Sequence, residues 1–352
     1  MDKDLLDLYS DYLLSSFGPT TATGLSALLD GQVSHDQVTR FLSQETYTSK
    51  TLWQQVKPML RSIEGNEGVL IFDDTIQAKP HTDENELICW HFDHSQNRSV
   101  KGINLLNCVY QINDLTIPVA FELVRKPLVF SDPETGQIKR KSAVTKNKLL
   151  RSMLGTCQHN QINYRYVLAD SWFSAKENLT FIRHRLDKHF IVALKANRTV
   201  ALSKEDKLQG RFTRIDALPW SEEAPQLGWI KGLDFPVLLH RQVFTNKDGS
   251  TGTLYLACSD LDRQALCIET IYQKRWKVEV FHKTLKSDAA LAKSPTKRVR
   301  TQSKHVFMAL YAAFRIECLR VRHHMKHFAL RAQLYMKAIR TAFDELQKLK
   351  TA

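Results

Sequence analysis

Tyr272, Arg275, Glu279 and Lys286 share one stretch without proline or glycine, IYQKRWKVEVFHKTLK at 271–286. A carboxylate can hold a divalent cation, and arginine or lysine beside it can hold a phosphate backbone. At about 100° per residue from Tyr272, a helix brings Arg275, Glu279, Lys283 and Lys286 into one stripe about 80° wide. Ile271, Val278, Phe281 and Leu285 fall on a separate apolar face that can dock on a sheet, and Trp276 and Val280 flank the polar stripe. On its own, a glutamate among cations is also what a charge-balanced surface helix contains, at a few tenths of a kcal/mol per pair.

Two upstream runs change the balance. GVLIFDD (68–74) and YRYVLAD (164–170) read as buried strands that end in carboxylates, Asp73/Asp74 and Asp170. Acids brought close together repel unless a cation sits between them. Magnesium or manganese favours such oxygen ligands, and a pair of ions roughly 3.5–4 Å apart can activate a nucleophile and stabilise a leaving alkoxide in phosphoryl transfer. WHFDH (90–94) reads as a polar loop near such a site rather than a second metal site. Lys79 and Lys101 are candidate phosphate contacts, although isolated lysines usually stay solvated. VRHHMKHF (321–328) is a basic link between helices, suited to backbone contact or to a solvated turn.

These residues need a scaffold, and 352 residues with 43% hydrophobic content can bury one. Residues 1–62 read as a helical N-terminal DNA-binding region. Within it, Thr21–Leu29 and Ser34–Leu42 form either a helix-turn-helix capped at Ser34 or an ordinary helical hairpin. Residues 63–198 read as strands at 68–74, 100–114 and 116–124, a helix from Ser142 to His159, a strand at 164–170, a helix from Ser174 to Leu186 and a strand at 189–195. Residues 199–260 read as a β-rich insertion, 261–300 as the last catalytic helix (one helix over 262–291), and 301–352 as a helical C-terminal region. From Ile271 onward there are 19 Lys and Arg against 5 Asp and Glu, whereas the preceding residues hold 31 against 32. A basic segment of this kind is the footprint of a nucleic-acid partner, or else a solvated basic surface. The six cysteines form no CxxC pair, which argues against zinc or a disulfide framework, and Cys108 and Cys258 read as buried thiols. No run of eighteen apolar residues and no signal-peptide pattern is present, so no membrane is expected and the cytoplasm is the expected compartment.

The spacing Tyr272-x2-Arg275-x3-Glu279-x6-Lys286 resembles the Y-R-E-K signature of DDE transposases from bacterial insertion sequences. FDDT and LADSWF resemble that family's two aspartate motifs, and the similarity spans about residues 65–290. The resemblance implies an RNase H-like mixed sheet flanked by helices, with a β-rich insertion before the last catalytic helix. It implies a catalytic triad of Asp73, Asp170 and Glu279 holding two Mg2+ or Mn2+ ions, with Asp74 as an alternative or additional first ligand. Tyr272, Arg275 and Lys286 would contact DNA near the cleaved end, Lys283 on the same stripe and Lys79 join them as DNA contacts read from their positions alone, and Trp229 or Trp220 would hold a displaced base or serve as core. The implied activity is cut-and-paste transposition by a homodimer on double-stranded DNA, both terminal inverted repeats and target, in the bacterial nucleoid. The rivals are an RNase H-like nuclease without strand transfer and a transposase-derived DNA-binding protein without catalysis.

Overall fold

A computed structural model describes residues 3–94, 96–220, 224–246 and 248–351. The strands after the N-terminal helices are built around one long central pair. β1 (Val69–Ala78) runs antiparallel to β3 (Arg98–Ile112), which is flanked on its other side by β2 (Cys89–Asp93) and then β4 (Leu115–Leu123). The hairpin of β5 (Leu128–Ser131) and β6 (Ile138–Lys141) forms a separate two-stranded sheet. On its other edge β1 pairs in parallel with β7 (Tyr166–Ala169), which pairs in parallel with β8 (His189–Leu194). Three antiparallel strands followed by two parallel ones, in the order β4-β3-β1-β7-β8, make this an RNase H-like mixed sheet.

The 199–260 segment does not stand apart from that sheet. β9 (Thr199–Ala201), β10 (Thr213–Arg214), β11 (Gln226–Ile230), β12 (Val237–Thr245) and β13 (Thr251–Cys258) continue it, because β13 pairs antiparallel with β8. WHFDH is not a loop: most of it is strand β2, drawn into the sheet by pairing with β3 from Cys89↔Gly102 to Asp93↔Arg98. Gly102 permits the neighbouring strand to come close, since a Cβ there would lie 2.2 Å from the Gln77 carbonyl oxygen.

Four helices precede the sheet: α1 (Lys3–Ser15), α2 (Ala22–Leu28), α3 (His35–Gln44) and α4 (Ser49–Ile63). Ser34 caps α3 with a full capping box shared with Gln37, so the local signal there is physically satisfied. The outward face of α3 carries His35, Asp36, Gln37, Thr39 and Arg40. α5 (Lys146–His159) is capped by Thr145, not Ser142, whose hydroxyl instead bonds the Val144 carbonyl. α6 (Lys176–Thr180) starts two residues after Ser174 and runs into a π turn at Phe181–Arg185, while a short α7 (Lys204–Leu208) lies in the insertion. α8 (Ala265–Gln273) and α9 (Trp276–Ser287) replace the single helix expected over 262–291.

α10 (Val299–His323) threads the helical side of the molecule, packing on α1, α3, α4 and β4, and α11 (His327–Thr351) follows it. Lys304 on α10 is buried and donates to the Phe41 carbonyl, with its ammonium over the Phe41 and Tyr47 rings, 3.9 and 4.1 Å from the centroids. That cage ties α3 to the core. Cys108 and Cys258 are buried thiols. Among the described residues no helix is long and apolar enough to cross a membrane.

Candidate active site

The parallel pairing of β1 with β7 does most of the positioning. Phe72 lies opposite Ala169, so the chain delivers Asp73 and Asp170 from adjacent strands one residue further on. Neighbouring strands are about 4.8 Å apart. Alternation then divides the two aspartates of β1. Asp73 shares a face with its register partner Asn107 and looks toward α9. Asp74 takes the other face, where Asn104 donates to it at 2.6 Å and Lys146 of α5 pairs with it at 2.7 Å.

α9 brings the third carboxylate. Val278, Phe281 and Leu285 are buried as its apolar face, which packs on β1 and β4 and leaves Glu279 outward, 44% exposed. One oxygen of Asp73, one of Glu279 and a ring nitrogen of His282 lie within 4.8 Å of one another. Asp170 lines the same open cleft of about 570 Å³, with Asp74, Lys146, Trp172, Arg275, Lys283 and Lys286 around it. The main-chain N–H of Trp172 donates to Asp170 at 3.0 Å and fixes its carboxylate.

The joint between α8 and α9 changes two sequence expectations. The N–H groups of Lys274, Arg275, Lys277 and Val278 each bond to a carbonyl three residues back. Such tightening turns the chain roughly 120° per residue instead of 100°. The stripe computed for a continuous helix is therefore broken at Tyr272. That ring is buried, with its hydroxyl 3.4 Å from the Ala169 carbonyl, so it supports the floor of the cleft and is not part of its lining. Arg275 turns inward as well. Its guanidinium bridges Asp73 at 3.3 Å and Glu279 at 3.4 Å and rests against the Trp276 ring.

Burial, and repulsion among the acids, govern the charge state of the cluster. Burial, then the charges of Glu279 and Asp170, push the Asp73 carboxyl up to about 8 despite Arg275. Asp170 is also raised, chiefly by burial. His282 is held neutral, its pKa lowered to about 3 by burial and then by Lys286 and Arg275. The Asn107 amide donates to its Nε2 at 3.0 Å. One guanidinium does not satisfy three converging carboxylates, so the donor set suits hard divalent cations with oxygen ligands.

Other expected residues are placed as follows. Lys283 and Lys286 line the cleft. Lys79 does not reach it: the side chain is 9% exposed and donates to the Ser294 carbonyl at 2.8 Å, bracing the segment after α9. Trp229 sits on β11, four strand steps from β7, roughly 19 Å across the sheet. Trp220 is partly buried, bonded to the Ile215 carbonyl. In WHFDH, His91 is buried against Cys89, while His94 stacks near Trp172 at 5.3 Å on the cleft wall. Sequence reading missed Lys146, Trp172, Asn107 and His282. Only Trp172, adjoining an aspartate motif in LADSWF, had a local signal.

The fold and this acidic cleft define an RNase H-like protein with three carboxylates gathered beside the parallel pair β1 and β7 in the middle of the sheet. The chain belongs to the DDE superfamily endonuclease family, whose profile matches residues 2–219, a span that includes Asp73 and Asp170 and stops before Glu279. Among solved structures, a Drosophila P element transposase strand transfer complex is similar at 14% identity with a TM-score of 0.26, over 51% of this chain and 35% of that chain. This chain therefore spans about a third of that relative's length. No curated protein sequence matches.

Proposed function

We propose that the chain is a cut-and-paste DNA transposase that cleaves the ends of its own element and joins them to target DNA. In this reading Asp73, Asp170 and Glu279 hold two magnesium or manganese ions. The observation that supports it is the meeting of three carboxylates, from β1, β7 and α9, in one open cleft whose walls carry Lys146, Lys283 and Lys286. When bound, such ions supply Lewis acidity to the attacking oxygen and the leaving alkoxide.

The chain's own groups do the rest. Arg275 offsets the repulsion between Asp73 and Glu279. Lys146 holds Asp74 aside, which favours Asp73 over Asp74 as the first ligand. The Trp172 N–H orients Asp170, and Asn107 orients His282 next to Glu279. Lys283 and Lys286 bind the phosphates flanking the scissile bond. Two ends joined in one event require two such sites, which is the basis for a homodimer on DNA.

The test uses labelled, pre-cut element ends and a plasmid target, with wild-type protein and Glu279→Gln, in Mg2+, Mn2+ or Ca2+. The reading expects joined products with Mg2+ or Mn2+, binding without cutting in Ca2+, and no product from Glu279→Gln. Hydrolysis with no joined product would leave a nuclease. Undiminished joining by Glu279→Gln would remove the three-carboxylate reading altogether.

A further inference from the structure

The β5–β6 hairpin has no role in the acidic cleft, yet it is poorly covered for an element of its composition. It is paired only with itself, and Leu128, Val129 and Ile138 are 45%, 54% and 71% exposed. A lone two-stranded hairpin is marginal in water, so one left this open is short of stabilising contacts. Its turn is built to hold shape nonetheless. Asp132 accepts from the N–H groups of Glu134 and Thr135 and pairs with Lys139, and Gly136 takes the positive φ (66°) that the return requires.

The register sorts the hairpin's faces. Leu128 opposite Lys141 and Phe130 opposite Lys139 share one face, with the Lys141 ammonium 5.4 Å from the Phe130 ring centroid. Val129 opposite Arg140 and Ser131 opposite Ile138 share the other, which leans on the body through Arg140 and Glu84 at 3.6 Å. Val129 and Ile138 on that second face nevertheless stay open to solvent, so both faces of the ribbon present side chains outward. From Arg125 to Arg151 there are eight Lys and Arg against two Asp and Glu. The hairpin also adjoins the cleft. Lys126 accepts from Arg140 through its carbonyl and donates through Nζ to Trp90 on β2, whose end supplies Phe92 and Asp93 to the cleft wall. From β6 the chain reaches Lys146, on that same wall, within five residues.

We infer that the β5–β6 hairpin is a β-ribbon that enters the major groove of duplex DNA flanking the segment held in the cleft. The inference rests on the nucleic-acid reading of that cleft. The major groove of B-form DNA admits a two-stranded ribbon, phosphates pair with lysines at its edges, and thymine methyls accept apolar side chains. A second protein copy would cover the apolar residues equally well, but it would have to bury a net positive hairpin against a chain that is itself strongly basic, at +13.

The test compares wild-type protein with Lys139→Ala/Lys141→Ala on two duplexes in Ca2+, one long and one trimmed to the cleft-bound segment. Both substituted residues are exposed, and an unchanged melting temperature verifies folding. The expected result is a salt dependence of log K on the long duplex that is shallower by about 1.8, the share of two phosphate contacts. Backbone protection is lost outside the cleft segment, and cleavage of the trimmed duplex in Mn2+ is unchanged. Ile138→Ser should weaken binding to the long duplex with no change in salt slope. If the wild type binds and cuts DNA but the double variant matches it in slope and footprint, the ribbon is refuted and the active-site reading survives. A change in oligomeric mass with unaltered DNA binding assigns the hairpin to a protein partner and also refutes it. A wild type that binds no DNA refutes both.

Discussion

The sharpest consequence of the acid cluster concerns stability, because Asp73 is ionised against its surroundings. A carboxyl moved from 3.8 to about 8 is worth at most about 6 kcal/mol, at ~1.4 kcal/mol per pH unit. Solvent in the open cleft reduces what the fold feels to roughly 1–3 kcal/mol. The sign follows from linkage. A raised carboxyl binds its proton more tightly in the folded state, so its contribution is intact below the unfolded value of 3.8 and is lost as pH rises toward about 8. Asn is an isosteric mimic of the protonated form. In chelator at pH 8, Asp73→Asn should therefore melt higher than wild type by about 1–4 °C, given roughly 2.1 cal/mol/K per residue, and the gap should narrow to roughly a third of that at pH 5. Divalent cations should do for wild type what the substitution does. At 100-fold excess over Kd they add about 2.7 kcal/mol, and Asp73→Asn should respond little. Differential scanning fluorimetry at both pH values, with chelator or Mn2+, reads all four combinations. If Asp73→Asn melts lower than wild type at pH 8 in chelator, or if wild type and variant gain equally from Mn2+, the carboxylates do not form a cation-deficient cluster.

Further predictions separate the residues that act from those that brace. Lys79→Met should lower stability by about 1–3 kcal/mol through the lost contact with the Ser294 carbonyl, while the affinity for DNA and its salt slope, read by fluorescence anisotropy, stay unchanged. Lys283→Ala/Lys286→Ala should do the reverse, leaving the melting temperature in place and reducing the salt slope by about 1.8. Asn107→Ala removes the donor to His282 and should lower turnover or metal affinity roughly 10- to 100-fold, measured as the Mn2+ dependence of cleavage. Lys304→Ala empties the cage of Phe41 and Tyr47 and should cost about 2–4 kcal/mol, detectable as a lower denaturation midpoint in urea.

Much of this was legible from local pattern. Apolar runs followed by acids gave β1 and β7, although β1 carries on past Asp73 and Asp74 to Ala78 because β3 pairs with it that far. The 3.6-residue period gave the docking face of α9, and Ser34 as an N-cap gave the start of α3. Each of these depends on neighbours within one or two turns of chain, which is the range over which sequence acts directly. The expectations that changed lie beyond that range. WHFDH became a strand because β3 is long enough to pair with both β2 and β4, and the β-rich insertion, expected as such, continues the main sheet because β13 pairs with the open edge of β8.

The sequence by itself determined that acids would follow the apolar strand runs and that Glu279 would stand on an amphipathic helix. Tertiary structure decided which of them meet. The parallel register of β1 on β7 set Asp73 beside Asp170, strand alternation sent Asp74 toward Lys146, and the tightened turn before α9 buried Tyr272 and swung Arg275 among the acids. Lys79 and Lys139 show the same division: both are lysines in polar surroundings, yet one is sealed against a carbonyl and the other stands on an exposed ribbon. Composition cannot tell them apart, because burial is a property of what packs against a residue, and that comes from chain segments far away in sequence.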